Sequence, residues 1–379
     1  LQPAHSRSIS QKTQQMSKEI LFEPFNLAGL KLNNRLVMAP MTRGRSNNDG
    51  NVATALTAAY YVQRASAGLQ ITEGTFVSKK AVGFVNVPGI YSEDQTKGWK
   101  LVTDAVHKEG GKIFAQLWHV GRMSHPDLHE GELPLAPSAI NPHAKAYTHS
   151  GFVDTVTPKE MSKADIEQTI ADFKHAAANA VKAGFDGVEL HAANGYLFHQ
   201  FFVGNANTRT DEYGGSIENR ARILFEVLDA VAEVIPKNRI GIRFNPSTHG
   251  LFGMSIDEQT IPTYEYMVEK LNAYGLAYLH FMEPFNDVSE VPFAVTEVAK
   301  HFRPLYNGTL IINNGFNKET GNAILENGYA DLVAYGKPFI ANPDLVARYE
   351  QNAPLSQADP ATFYTTGTLG YTDYPFMNN

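Results

Sequence analysis

The stretch "SKADIEQTIADFKHAAANAVKAGFDGVELH", residues 162–191, decides the fold. Ser162 with Asp165 three residues later marks a helix start, where polar side chains can satisfy the first free N–H groups. Gly184 marks the end, because glycine readily enters the left-handed region that closes a helix. The apolar run Phe185 to Leu190 follows directly and reads as a buried strand. His191 then closes that strand, and Asn194 and Tyr196 follow within five residues. Such donors are costly to bury unless an acceptor meets them, so either the fold satisfies them or a ligand does.

The same alternation extends both ways along the chain. Strand-like runs fall at Arg35–Pro40, Leu69–Val77, Lys112–Trp118, Gly187–His191, Arg239–Asn245, Ala277–Met282, Thr309–Asn313 and Leu332–Tyr335. Helix patterns separate them. In "SIENRARILFEVLDAVAEVI" Ser216 would cap, while Ile223, Val227 and Val231 share one face. Strict alternation means parallel strands joined by crossover helices. Eight such units predict an α/β fold, a (β/α)8 TIM barrel with an N-terminal hairpin. A doubly wound open sheet is the second reading, but no GxGxxG turn follows the first strand. The third and fourth strands lie about 70 residues apart, which leaves a long excursion over Val120 to Thr157, rich in Pro, His and Gly. Long structured loops of this kind commonly bind ligands or cover sites.

Composition narrows the function. With 32 basic and 39 acidic residues the net charge is −7, and no basic run is present, so nucleic acid is not an expected partner. No apolar stretch approaches the roughly 18 residues of a membrane span. The expected location is cytoplasmic. The sequence holds no cysteine, which excludes disulfides, thiolate metal sites and a cysteine nucleophile. Residues 1–15, "LQPAHSRSISQKTQQ", read as a disordered leader or expression remnant before Met16. A transit peptide is the rival reading, because the segment is Ser-rich and lacks acid.

Active sites of such barrels lie at the C-terminal strand ends. The first strand runs into "APMTRGR", placing Thr42 at the rim. In the third, Gln116 and Trp118 alternate onto one face. His191 ends the fourth, and Arg243 sits within the apolar fifth, where a guanidinium requires an anion or acceptor. Each alone has an ordinary structural explanation, but five converging on one rim suggest a binding site. "NNGF" and "YGKPF" close the last two strands, with Gly315, Phe316, Gly336 and Lys337. Glycine lets backbone N–H groups approach an anion and Lys supplies charge, so this pair predicts a phosphate site. Zinc is the chemical rival, through His119, His191 and His199, but no HxH or HExxH spacing occurs.

Together "LAGLKLNNRLVMAPMTR", "AQLWHVGR", "GFDGVELHAANGYLFHQFF", "NTRTDEYGGSIENRARILFEVLDAV", "IGIRFNPS" and "YGKPFIANPDL" closely resemble the Old Yellow Enzyme family of flavin-dependent ene-reductases, from Leu21 to about Pro375. The resemblance implies a single FMN-binding barrel domain over residues 16–379, noncovalent FMN, and NAD(P)H as reductant. It implies activated alkenes (unsaturated carbonyl or nitro compounds) as oxidants, with nitrate esters as further candidates and phenols as ligands. By the same resemblance Pro40, Met41 and Thr42 would lie along the flavin, and Gln116 and Arg243 would hold its pyrimidine end. Gly315, Phe316, Gly336 and Lys337 would hold the phosphate. His191 and Asn194 would bind the substrate oxygen, Tyr196 would donate a proton to the α-carbon after hydride reaches the β-carbon, and Trp118, Phe84 and Tyr364 would shape the pocket. No metal is expected. Thr42 places the chain with the Thr-bearing branch. It departs from the family pattern at Lys337, where Arg is common, and at "TEG" 72–74, where Thr-Glu-Ala is more frequent. That second change is expected only to adjust the backbone. Two other readings stay open: a noncatalytic flavin- or ligand-binding barrel, and a different TIM-barrel enzyme.

Overall fold

In a computed structural model, which describes residues 18–378, eight parallel strands close into a barrel. They are β1 (Leu36–Met38), β2 (Leu69–Phe76), β3 (Ile113–Trp118), β4 (Gly187–Ala192), β5 (Ile240–Phe244), β6 (Tyr278–Met282), β7 (Leu310–Asn313) and β8 (Leu332–Tyr335). Their order around the barrel follows the chain, with β8 pairing β1 to close it. All eight expected runs are present, with ends shifted slightly. The first stops at Met38 and not Pro40, because proline has no N–H to extend the ladder. The leader over residues 1–15 lies outside the described residues.

The stretch that decided the fold is a helix, Lys163–Lys182, followed by β4. Ser162 accepts from the Asp165 N–H, and the Asp165 carboxylate accepts from the Ser162 N–H in return. The C-cap is Ala183, and Gly184 stands one position beyond it at φ +85°, where a side chain would be strained. In the helix Ile217–Val231, Ser216 caps, and Ile223, Val227 and Val231 are all buried as expected.

An antiparallel hairpin, Phe25–Leu27 with Leu30–Leu32, precedes β1. Its Leu27 and Leu32 pack with Val37, Ile71, Phe114, Tyr278 and Ile311 inside the barrel, and Arg239, just before β5, donates to Ala28 O. The hairpin therefore plugs the N-terminal mouth, leaving the C-terminal mouth for ligands. The excursion after β3 carries a second hairpin, Lys145–Thr148 with Gly151–Asp154. This hairpin bridges back at Phe84 and Tyr147, whose rings lie 4.9 Å apart. Among the described residues no helix is long and apolar enough to cross a membrane.

Three buried arginines tie the C-terminal segment to the barrel. Arg43 donates to the carbonyls of Phe363 and Gly370, and Arg64 to that of Tyr371 as well as to those of Phe339 and Ile340 in the helix after β8. Arg45 reaches the carbonyls of Thr362, Phe363, Gly367 and Leu369, at 2.7 to 3.3 Å. The five donors of a guanidinium suit a set of scattered acceptors that a single ammonium could not span. The segment carries Tyr364 to the barrel mouth. Replacing Arg45 by Ala leaves at least three carbonyls without a charged donor. We expect a loss of roughly 2–4 kcal/mol in denaturant unfolding and early proteolytic cleavage within 360–372. A variant as stable and as protease-resistant as the parent would show that the segment is held by its apolar contacts alone.

Candidate active site

The two-residue alternation of strands delivers the site. On β3 Gln116 and Trp118 face inward, on β4 Glu189 and His191, on β5 Arg243, with Asn245 following, and on β6 Tyr278 and His280. Above the apolar plug these side chains form a polar layer. A small cavity of about 100 Å³ lies between Thr42, Gln116, His191, Asn194, Tyr196 and Arg243. It adjoins a space of about 620 Å³ bounded by Pro40, Met41, Gly315, Phe316, Gly336 and Lys337. A third, of about 400 Å³, is walled by Phe84, Trp118, Tyr147, Tyr196 and Tyr364. Thr42 borders all three, so they make up one continuous groove, and every site residue expected from the sequence lies on it.

After β4 the chain turns sharply. Asn194 at φ +59° and Gly195 at φ +81° are consecutive left-handed residues, a conformation that Asn tolerates better than most. The turn is locked from behind. His199 Nδ1 accepts from Gly195 N, and Gln200 Nε2 donates to the carbonyls of Gly195 and Val120. The turn carries Tyr196 to the start of the helix Leu197–Phe202, edge-on to Trp118 at 4.9 Å and to His191 at 5.1 Å. Asn245 Nδ2 donates to Asn194 Oδ1 at 3.0 Å, so Asn194 keeps its own N–H groups for a ligand.

Burial sets the protonation states. It holds the His191 imidazole well below the usual histidine range, helped by Arg243 and His280, so the ring is neutral. Burial raises the Tyr196 hydroxyl well above the ordinary tyrosine value, reinforced by Tyr364 and opposed by Arg243. His119 and His199 are both pushed down to about 3 by burial. Each accepts a backbone N–H at Nδ1, and among the described residues no group of three His, Asp or Glu side chains is placed to hold a metal.

Several functional positions escaped the sequence reading. The run Phe185 to Leu190 contains Glu189, wholly buried, which accepts from Gln116, Tyr278 and His280. Asn245 was legible as the inward partner of Arg243 two residues earlier. Gly74 does more than adjust the backbone, which corrects the expectation for "TEG". A Cβ there would lie 2.4 Å from the Trp118 ring, so glycine makes room for Trp118 at the groove, next to a register shift between β2 and β3.

The groove suits a planar, anionic cofactor. Buried Arg243 Nε, His191 Nδ1, Trp118 Nε1 and Asn313 Oδ1 have no protein partner, and Gly315, at φ +88°, leaves open space where a Cβ would stand. Residues 20–356 match the NADH:flavin oxidoreductase / NADH oxidase family. The chain is 44% identical to 12-oxophytodienoate reductase 1 of Oryza sativa subsp. japonica, over 94% of this chain and 93% of the rice protein. Morphinone reductase superposes with a TM-score of 0.90 at 44% identity, covering 96% of this chain and 98% of that one. It has also been solved with tetrahydroNAD. The Old Yellow Enzyme homologue from Zymomonas mobilis gives 0.89 at 38% identity, over 94% and 99%.

The anchoring of Asn194 is open to direct measurement. Asn245→Ala removes the donor that fixes the Asn194 amide but touches no wall of the small cavity. A para-substituted phenol, titrated by its long-wavelength absorption, should bind about tenfold more weakly, the loss of one oriented hydrogen bond. Unchanged affinity would mean that Asn194 is held by its backbone alone.

Proposed function

The chain belongs to the NADH:flavin oxidoreductase / NADH oxidase family, and from that premise we propose how its residues divide the work. It is an FMN-dependent oxidoreductase that uses NAD(P)H to reduce activated alkenes. Bound FMN would supply the hydride-transfer chemistry between the nicotinamide and the electron-poor carbon of the alkene. Thr42, Gln116 and Arg243 would hold its ring system, with Pro40 and Met41 alongside. Gly315, Phe316, Gly336 and Lys337 would hold its phosphate. Lys337 gives charge without the two-pronged geometry of Arg, so this contact is a point attraction. The open groove favours noncovalent binding. Thr42, and not a Cys, stands at this rim position, which supports membership of the Thr-bearing branch.

The observation that carries the catalytic reading is the meeting of His191, Asn194 and Tyr196 at one small cavity beside Arg243. His191 is neutral yet can still donate through one ring N–H. Asn194 donates through the amide that Asn245 turns outward. As the β-carbon of an enone gains hydride, negative charge collects on the carbonyl oxygen. Donors already fixed there stabilise the transition state more than the ground state. Tyr196 then protonates the α-carbon; its raised pKa keeps the hydroxyl protonated at neutral pH. Trp118, Phe84 and Tyr364 form the aromatic wall that selects substrate shape. Nitro compounds present oxygens of the same kind to His191 and Asn194, which extends the reading to nitroalkenes and nitrate esters. Phenols fit as ligands because a phenolate oxygen occupies the position where charge would develop.

A noncatalytic carrier would share the groove but has no use for Tyr196. Tyr196→Phe keeps the ring and removes only the proton. Anaerobic reduction by NAD(P)H should proceed at close to the parent rate. Reoxidation by cyclohexenone should slow by about 10²–10⁴-fold, and reoxidation by a nitrate ester much less. Because the folded-state pKa is raised, the acid is lost only above that raised value. The parent enone half-reaction should therefore show no alkaline limb with a midpoint below the ordinary tyrosine range. Stopped-flow absorbance resolves both half-reactions. Equal slowing of all three would make Tyr196 a general positioning residue, and unchanged enone turnover would assign the proton to solvent.

A further inference from the structure

The structure assigns Glu189 the role of a positioning residue that fixes the Gln116 amide and balances Arg243 beneath the cofactor site. This inference rests on the flavin-binding reading above and goes beyond it, since Glu189 borders no part of the groove. The carboxylate lies one inward position below His191 on β4, wholly buried. It accepts from Gln116 Nε2 (2.8 Å), Tyr278 OH (2.8 Å) and His280 Nδ1 (3.0 Å). An ionised carboxylate only accepts, so the Gln116 group facing it must be the amide nitrogen. The Gln116 carbonyl is then left for the cavity. Without Glu189 either end of that amide could face a ligand.

The surroundings are shaped to hold this anion. A Cβ at Gly241 would fall 2.2 Å from the Tyr278 ring, so glycine on β5 makes room for Tyr278 to lie across the barrel and reach Glu189. Burial alone would raise the Glu189 carboxyl, but His280, Arg243 and the Tyr278 hydroxyl outweigh it and hold it below the usual carboxylate range. Burial likewise lowers His280 despite the carboxylate, which its Nδ1–H meets as a donor. Glu189 thus lies under the cavity and Arg243 on its wall, on the adjacent strand, so the anion offsets part of the cation's charge. Removing the anion leaves Arg243 unbalanced, which favours the more negatively charged reduced flavin over the oxidised form.

The test uses Glu189→Gln, nearly equal in volume. FMN is titrated into apoproteins, and midpoint potentials are measured anaerobically on the loaded proteins. Oxidised FMN should bind about tenfold more weakly, with reduced FMN unaffected. The potential then rises by about 30 mV, the value of a tenfold ratio for a two-electron couple. A double-mutant cycle identifies the route. In a Gln116→Ala background, Glu189→Gln should cost little further affinity yet still raise the potential. If Glu189→Gln does not fold, Gln116→Ala alone decides. Its potential should fall, because the Glu189 charge then faces the cavity without an intervening amide, and a rise or no change overturns the assignment. So do affinity and potential within twofold of the parent, or affinity losses that simply add. A parent protein that binds no FMN would instead refute the flavin-binding reading itself.

Discussion

The closed parallel barrel imposes one constraint from which the rest follows: inward side chains come only from alternate residues. Four neighbouring strands, β3 to β6, spend their upper inward positions on Gln116, Glu189, His191, Arg243 and His280. Lower inward positions around the barrel, Val37 on β1, Ile71 on β2, Phe114 on β3 and Ile311 on β7, make an apolar plug with the N-terminal hairpin. Polar groups over a dry floor face low dielectric below and the groove above. Interactions there are strong, and unpaired groups are costly. The layer therefore either satisfies itself or waits for a ligand, and it does both. Glu189 is saturated, while Arg243 Nε, His191 Nδ1 and Trp118 Nε1 are not.

A rigid layer needs supports that do not themselves react. Behind the Asn194–Tyr196 turn, His199 and Gln200 occupy the backbone groups that a left-handed turn leaves free. At the far side, Arg43, Arg45 and Arg64 capture the carbonyls of Gly370, Thr362 and Tyr371 in a segment with little regular structure of its own. In both places buried polar side chains replace a sheet or helix ladder. Loops can thus carry Tyr196 and Tyr364 with nearly the fixity of strands, which a site of this kind requires.

The eight strands were legible because alternation of short apolar runs and helix-period segments is a strong signal. So were the site residues that end strands, since Thr42, Gln116, His191 and Arg243 stand out as polar groups in apolar surroundings. What was not legible depends on long-range contact. Arg45 meets acceptors more than 300 residues away, and no local pattern announces them. Gly74 and Gly241 look like ordinary strand irregularities until Trp118 and Tyr278 are seen lying where their side chains would be. Glu189 is a different case. Its alternation with His191 was in plain view, but a mostly apolar run was read as wholly apolar.

Glu189 also bears on why the barrel interior keeps charges at all. Buried opposite charges are seldom a net source of stability, because desolvating both offsets most of their attraction. Replacing Glu189, Arg243 and His280 by apolar residues of similar volume would by this argument cost the fold little. What would be lost is function: an amide with one permitted orientation, and a cation held in place before any ligand arrives. Preorganised charge lowers a barrier because its cost is met during folding and not during the reaction. The polar layer is therefore best understood as strain against the hydrophobic logic of the barrel, tolerated where the groove uses it and absent from the plug below.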